Sequence, residues 1–193
     1  MANKKTLKRV VTIIICILLA LLIAVGGYLG YVLLSYSRID DNQEIIPIKT
    51  GEEATVRLSE SYKIVTQNIG FGAYTQDFTF FMDGGTQSWA ESEESVLECI
   101  AKAGDTAELY EPDFILFQEV DFDSTRSYHI NQREFLEKRF NYLSSAFAVN
   151  YDSAFLMYPF TEPHGASKAG ILTLSKFNIT SSLRRSLPIS EGV

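Results

Sequence analysis

Between Val10 and Tyr36 the chain reads VVTIIICILLALLIAVGGYLGYVLLSY, with no charged side chain anywhere in the run. No other feature limits the fold so strongly. Crossing the hydrocarbon core of a bilayer takes roughly 20 apolar helical residues, and this run exceeds that length. A cleavable leader carries an apolar stretch of only about 7–15 residues before a small-residue cleavage site. Here the stretch is longer, and Tyr28 and Tyr31 sit near its far end, where aromatic side chains favour the membrane interface. The pattern predicts a retained signal anchor over 10–36 that contacts the lipid bilayer. Lys4, Lys5, Lys8 and Arg9 precede the span, and Arg38 is the one cation soon after it. The positive-inside bias therefore predicts a basic cytoplasmic tail over 1–9 and a single-pass protein whose remainder is extracytoplasmic.

Charge narrows the possible partners. Of 17 basic residues four lie in the tail, which leaves 13 against 24 acidic ones, or −11 for the rest of the chain. So acidic a surface repels polyphosphate unless a cation intervenes, which disfavours sequence-independent nucleic-acid binding through a basic stripe. The two cysteines, Cys16 in the span and Cys99 in an expected helix, offer neither a disulfide framework nor Cys/His metal spacing. No protein partner can be inferred.

Residues 37–61 carry Asp40, Asp41, Glu44, Glu52 and Glu53 around a Pro-interrupted apolar stretch, Ile45-Ile-Pro-Ile48. They read as a stalk or lead-in with room for one short edge strand, and the folded domain is expected over 62–193. Tyr62–Asn68 and Phe114–Glu119 have the length and apolar, aromatic or β-branched content of buried strands. Between them, Phe71–Trp89 is aromatic without clear periodicity, as an irregular loop would be. Its Phe71, Tyr74, Phe78, Phe80, Phe81 and Trp89 suit either a lipid- or sugar-facing rim or core and loop packing, and packing is favoured. From about Ser92, Val96, Leu97, Ile100 and Ala101 recur at helical spacing, with Glu93 and Glu94 in the first turn, and this helix is expected to end before Pro112. After Glu119 come an acidic turn at Asp121 and Asp123, a short helix over 131–140, a strand or hairpin over 142–158 turning at 150–152, a strand over 170–175, and a last one within 179–187. A helix between the first two strands followed by hairpin-rich sheet predicts a mixed α/β fold.

Asn68 and Glu119 would then stand at neighbouring strand ends, where α/β folds place their chemistry. Singly, each has an ordinary explanation: Asn before Ile-Gly as a turn former, Glu as a solvated strand end. Together they carry more. Tyr62-Lys-Ile-Val-Thr-Gln-Asn68-Ile-Gly70, then Pro112-Asp-Phe-Ile-Leu-Phe-Gln-Glu119, then Gly170-Ile-Leu-Thr-Leu-Ser-Lys176-Phe-Asn-Ile179 follow one another in the chain. In content and order they resemble the endonuclease/exonuclease/phosphatase (DNase I-like) superfamily from about Tyr62 onward.

The resemblance implies a four-layer α/β sandwich, of which this chain would hold an incomplete half, and a metal centre that hydrolyses phosphoesters. Glu119 is implied as the Mg²⁺ (or Mn²⁺) carboxylate, and Asn68 as the catalytic residue supporting the metal or its water. The phosphoester substrate is left open among nucleic acid, phospholipid head group and sugar phosphate. Arg126 and Lys168 are candidate phosphate contacts, and His129 and His164 candidate substrate contacts; solvated loop positions are the simpler alternative for all four. The family's later Asp-x-Asn and Ser-Asp-His motifs have no counterpart here. That departure leads to the expectation of an N-terminal fragment, inactive alone, of a longer hydrolase. The alternative is a non-catalytic, membrane-tethered binding module on the same scaffold. Asn178-Ile-Thr180 is an acceptor sequon, meaningful only in a eukaryotic secretory setting.

Overall fold

The computed structural model describes residues 4–35, 39–52 and 55–187 and divides into two units, Met1–Ser37 and Arg38–Val193. Residues 1–3 of the expected basic tail, Tyr36 of the expected span, 37–38 and 53–54 of the lead-in, and the closing 188–193 lie outside the described residues. The first unit is one helix, α1 (Lys4–Ser35), 32 residues long. At 1.5 Å per residue it extends about 48 Å, more than the roughly 30 Å hydrocarbon core of a bilayer. None of its residues is buried. It is long and apolar enough for a membrane anchor or a signal sequence.

The second unit is mixed α/β. Strands β2 (Ile64–Asn68) and β3 (Phe114–Ser124) are parallel and joined through helix α2 (Glu93–Glu108). Ser92 caps that helix, its hydroxyl accepting from the Ser95 N–H, and Glu93 and Glu94 occupy the positive end of its dipole. Helix α3 (Gln132–Arg139) follows β3, after which β4 (Ser144–Leu156) and β5 (Gly165–Ser175) complete an antiparallel edge. The sheet order is β2-β3-β5-β4. Ile100, Ala103 and Ala107 of α2 and Leu136 of α3 pack with Ile115, Phe117, Leu172 and Leu174 from the sheet, all buried. Each large apolar side chain sealed there contributes roughly 1.5–3 kcal/mol. Ile64 and Ile171, whose chain neighbours Val65 and Leu172 face this core, are exposed on the other side of the sheet.

Two expectations need correction. Asp121 and Asp123 do not form a turn: β3 runs on to Ser124, because Asp121 finds a buried cationic partner in place of water. Consequently Glu119 is not a strand end but lies in a β-bulge, where the register with β5 slips between Phe117 and Val120. Of the two alternatives for 142–158 the structure takes the single strand, β4, in which a second bulge between Val149 and Tyr151 absorbs the turn-prone Asn150. Beside the first bulge, Gly170 opposes Val120. A Cβ at Gly170 would collide with the Ala148 carbonyl and the Phe147 ring, so glycine allows the backbones to approach there.

The lead-in carries more structure than its composition predicts. Strand β1 (Gln43–Ile45) pairs antiparallel with β6 (Ser182–Arg184), Ile48 bridges Ser145, and Glu52 bridges Phe177. Arg184 fastens the arrangement, donating from Nη1 to the Asp40 carbonyl at 2.7 Å and from Nε to the Val149 carbonyl at 3.0 Å. The aromatic stretch likewise builds a small core of its own: Phe71, Ala73, Phe78 and Ala90 pack against Val96, with Phe80 and Tyr128 at the margin.

Candidate functional site

Parallel pairing places Asn68, the last residue of β2, opposite Gln118, so the next residue of β3, Glu119, comes within reach of its side chain. Asn68 Nδ2 donates to Glu119 Oε1 at 2.8 Å, joining positions 51 residues apart. Asn68 Oδ1 in turn accepts from the Gly70 N–H at 2.8 Å. Both ends of the carboxamide are therefore engaged, and its orientation is fixed. Gly70 has φ +53°, the left-handed conformation that lets the chain turn back onto Asn68. Gln118 lies along the sheet, donating to Thr66 Oγ1 and the Leu116 carbonyl.

Glu119 has φ +54°. A non-glycine residue in the left-handed region costs about 1–2 kcal/mol, and such strain concentrates where a side chain must be aimed. The bulge aims this carboxylate into a cleft of about 740 Å³ lined by Asn68, Gly70, Tyr74, Lys102 and Thr106, among others. Among the described residues only Asn68 donates a hydrogen bond to Glu119, which leaves its second oxygen available. Among the same residues there is no cluster of three or more His, Cys, Asp or Glu able to cage a metal. A single carboxylate beside a fixed carboxamide nevertheless suits Mg²⁺, which keeps several waters and takes one or two protein carboxylates plus substrate oxygen.

The other sequence-derived candidates lie elsewhere, and none of the four lines this cleft. Arg126 is buried, not a loop cation: its Nη2 and Nε donate to the two oxygens of Asp121 at 2.9 and 3.1 Å, and its guanidinium lies 3.9 Å over the Phe71 ring. His164 is buried as well, beside the Phe80 and Phe81 rings, with Nε2 3.4 Å from Ser167 Oγ. His129 is exposed and held by Asp123 at 2.5 Å. Lys168 stands in register with both Asp123 and Asp152, its Nζ 3.2 Å from the Asp152 carboxylate. His129 and Lys168 thus each pair with an aspartate, while Arg126 and His164 belong to the interior.

Sequence reasoning missed Lys102 as a cleft residue and gave Tyr74 only as one member of an aromatic run for which packing was favoured over a rim. Lys102, one turn on from Glu98 in α2, resembled any i,i+4 surface pair.

The buried histidine has a measurable consequence. Burial first, and then the Arg126 charge, hold His164 below the ordinary histidine value of 6.5. Unfolded chain therefore binds a proton that the folded chain refuses, and stability falls as pH drops below about 6.5. Urea denaturation is expected to show this loss, at no more than about 1.4 kcal/mol per pH unit, with no contribution from this residue at higher pH. His164→Leu should flatten the acid limb relative to the unaltered chain; equal slopes in the two proteins would contradict the assignment.

Comparison of the chain with protein-family models, with curated proteins and with solved structures finds no match.

Proposed function

We propose that the folded unit carries the metal-binding part of a divalent-cation-dependent phosphoester hydrolase of the endonuclease/exonuclease/phosphatase type. The observation that carries this reading is the Asn68–Glu119 hydrogen bond at the mouth of the cleft, with Glu119 held in a strained bulge. A solvated strand end needs neither the strain nor a carboxamide fixed at both ends. Asn68 orients the carboxylate, and Glu119 presents its remaining oxygen to a cation such as Mg²⁺ or Mn²⁺. A bound divalent ion supplies charge neutralisation at the phosphoryl and leaving oxygens. On this reading the helical layer and sheet described above would be half of a four-layer sandwich. Helix α1 would anchor the chain with Lys4, Lys5, Lys8 and Arg9 in the cytoplasm and the folded unit outside, as the positive-inside bias favours.

Neither histidine of the chain lines the cleft, so no imidazole is in place there to act as general base. This favours slow turnover by the chain as given, and it keeps a non-catalytic, membrane-tethered module as the alternative. Metal binding is accordingly the primary measurement. Mn²⁺ titration followed by electron paramagnetic resonance should show a single site, lost in Glu119→Ala and weakened about 10–100-fold in Asn68→Ala, the usual effect of removing a residue that orients a ligand. Hydrolysis of bis(4-nitrophenyl) phosphate should require the metal. Metal-independent hydrolysis, or Mn²⁺ binding that survives Glu119→Ala, overturns the proposal, whereas metal binding without any turnover leaves the non-catalytic module.

A further inference from the structure

Tyr74 shares the cleft with Asn68 and Glu119, and half of its surface is open (52%). The ring is nonetheless fixed. It meets Phe71 and Phe78 edge-to-face at centroid distances of 5.9 and 5.0 Å, and its hydroxyl lies 3.3 Å from Asp83 Oδ2, to which it donates. Gly70 packs beneath it, since a Cβ there would collide with the ring. Burial, then the charges of Asp83 and Glu119, push the phenol above its ordinary value, so it stays neutral. An aromatic ring immobilised beside a metal-binding carboxylate has lost its rotamer freedom before any ligand arrives, which lowers the entropic cost of contact.

The rest of the lining mixes polar Thr75, Gln76 and Thr106 with apolar Ile69, Cys99 and Ala103. Gln67, also in the lining, has a buried Oε1 with no hydrogen-bond partner. Such an acceptor is costly to leave unmade and suits an N–H or O–H donor brought by a ligand or an ordered water. A rigid ring face with a hydrogen-bond acceptor in the same cleft fits a planar ring that carries both a π-face and polar edges.

We propose that Tyr74 is the specificity-determining contact of this site, stacking on a planar ring in the alcohol portion of the phosphoester. This rests on the metal-centred reading of Asn68 and Glu119. Stacking on an aromatic side chain contributes on the order of tenfold in affinity.

The test is calorimetric titration of the full chain with Mg²⁺ alone, and then, in the presence of Mg²⁺, with diphenyl phosphate and dibutyl phosphate, which share a charge but differ in ring against chain. Diphenyl phosphate is expected to bind roughly tenfold more tightly. Tyr74→Phe keeps that preference and Tyr74→Leu erases it, while both variants retain Mg²⁺ binding. Failure of the unaltered chain to bind Mg²⁺ overturns the metal-centred reading and this inference with it. Intact Mg²⁺ binding with no ring preference, or with a preference that survives Tyr74→Leu, overturns this inference alone. Should Tyr74→Leu fold poorly, saturation transfer in the unaltered chain decides instead. Deuterating its tyrosine rings must diminish transfer to the phenyl protons, and unchanged transfer overturns the contact.

Discussion

Asp121→Ala is expected to destabilise the folded unit by about 3–5 kcal/mol, enough to consume a large share of the stability of an ordinary domain. Asp121 is fully buried and Arg126 nearly so. The carboxylate receives both guanidinium donors and the Ser127 hydroxyl at 2.7 Å. Its backbone N–H donates to Gln132 Oε1, and Gln132 Nε2 donates to the Phe71 carbonyl, so Gln132 ties β3, α3 and the aromatic stretch together while the carboxylate holds β3 to the turn that carries Arg126 and Ser127. Alanine would leave a cation in the interior with neither water nor counter-charge. The cost comes from that stranded charge more than from the attraction lost. Replacing both partners at once, as Asp121→Leu with Arg126→Met, should therefore recover most of the stability, because the desolvation of two ions disappears with them. Urea denaturation of the single and double variants measures this directly. A loss below about 1 kcal/mol in Asp121→Ala would mean that the pair behaves like a surface ion pair. The same experiment judges the earlier expectation for Arg126: a phosphate-binding cation would leave stability nearly unchanged when its neighbour is altered.

Local patterning made the helices and most strands legible. In α2 the buried Val96, Ile100, Ala103 and Ala107 recur at spacings of three and four residues behind a serine cap, a signal complete within one segment. The extent of β3 was not legible. Asp121 and Asp123 argue for a turn on local grounds, and the guanidinium that makes a buried aspartate tolerable comes from a separate turn, Thr125–Ser127. The burial of Arg126 and His164 was not legible for a related reason. A sequence shows that Arg126 or His164 is polar, but its burial depends on the aromatic core that Phe71, Phe78 and Phe80 build around it. Asn68 and Glu119 stood out because each follows an apolar run of strand length, and the structure joins their side chains by a hydrogen bond. The bulge that aims Glu119 depends on pairing with β5, some fifty residues further along, and no local signal announces it.

Glycine and alanine at position 119 are expected to reverse their usual order of stability. At an ordinary strand position glycine is the poorer choice by about 0.5–1 kcal/mol, because it loses more backbone freedom on folding. At φ +54° alanine carries the left-handed penalty of about 1–2 kcal/mol that glycine escapes. Both substitutions remove the carboxylate and the bond from Asn68, so those losses cancel in the comparison. The difference isolates the backbone: Glu119→Gly should be more stable than Glu119→Ala by roughly 1 kcal/mol, read as a higher urea midpoint at unchanged slope. If the two variants are equally stable, or alanine is the better, the bulge does not store the strain ascribed to it. Both variants should lose the Mn²⁺ site altogether, since the oxygen that Asn68 orients is gone. Stability recovered by glycine together with a lost metal site is what a residue held in place for its carboxylate predicts. A solvated glutamate with no ligand to hold would yield the same stability order with no metal site to lose, so the two measurements on one pair of variants separate the strained backbone from the chemistry it serves.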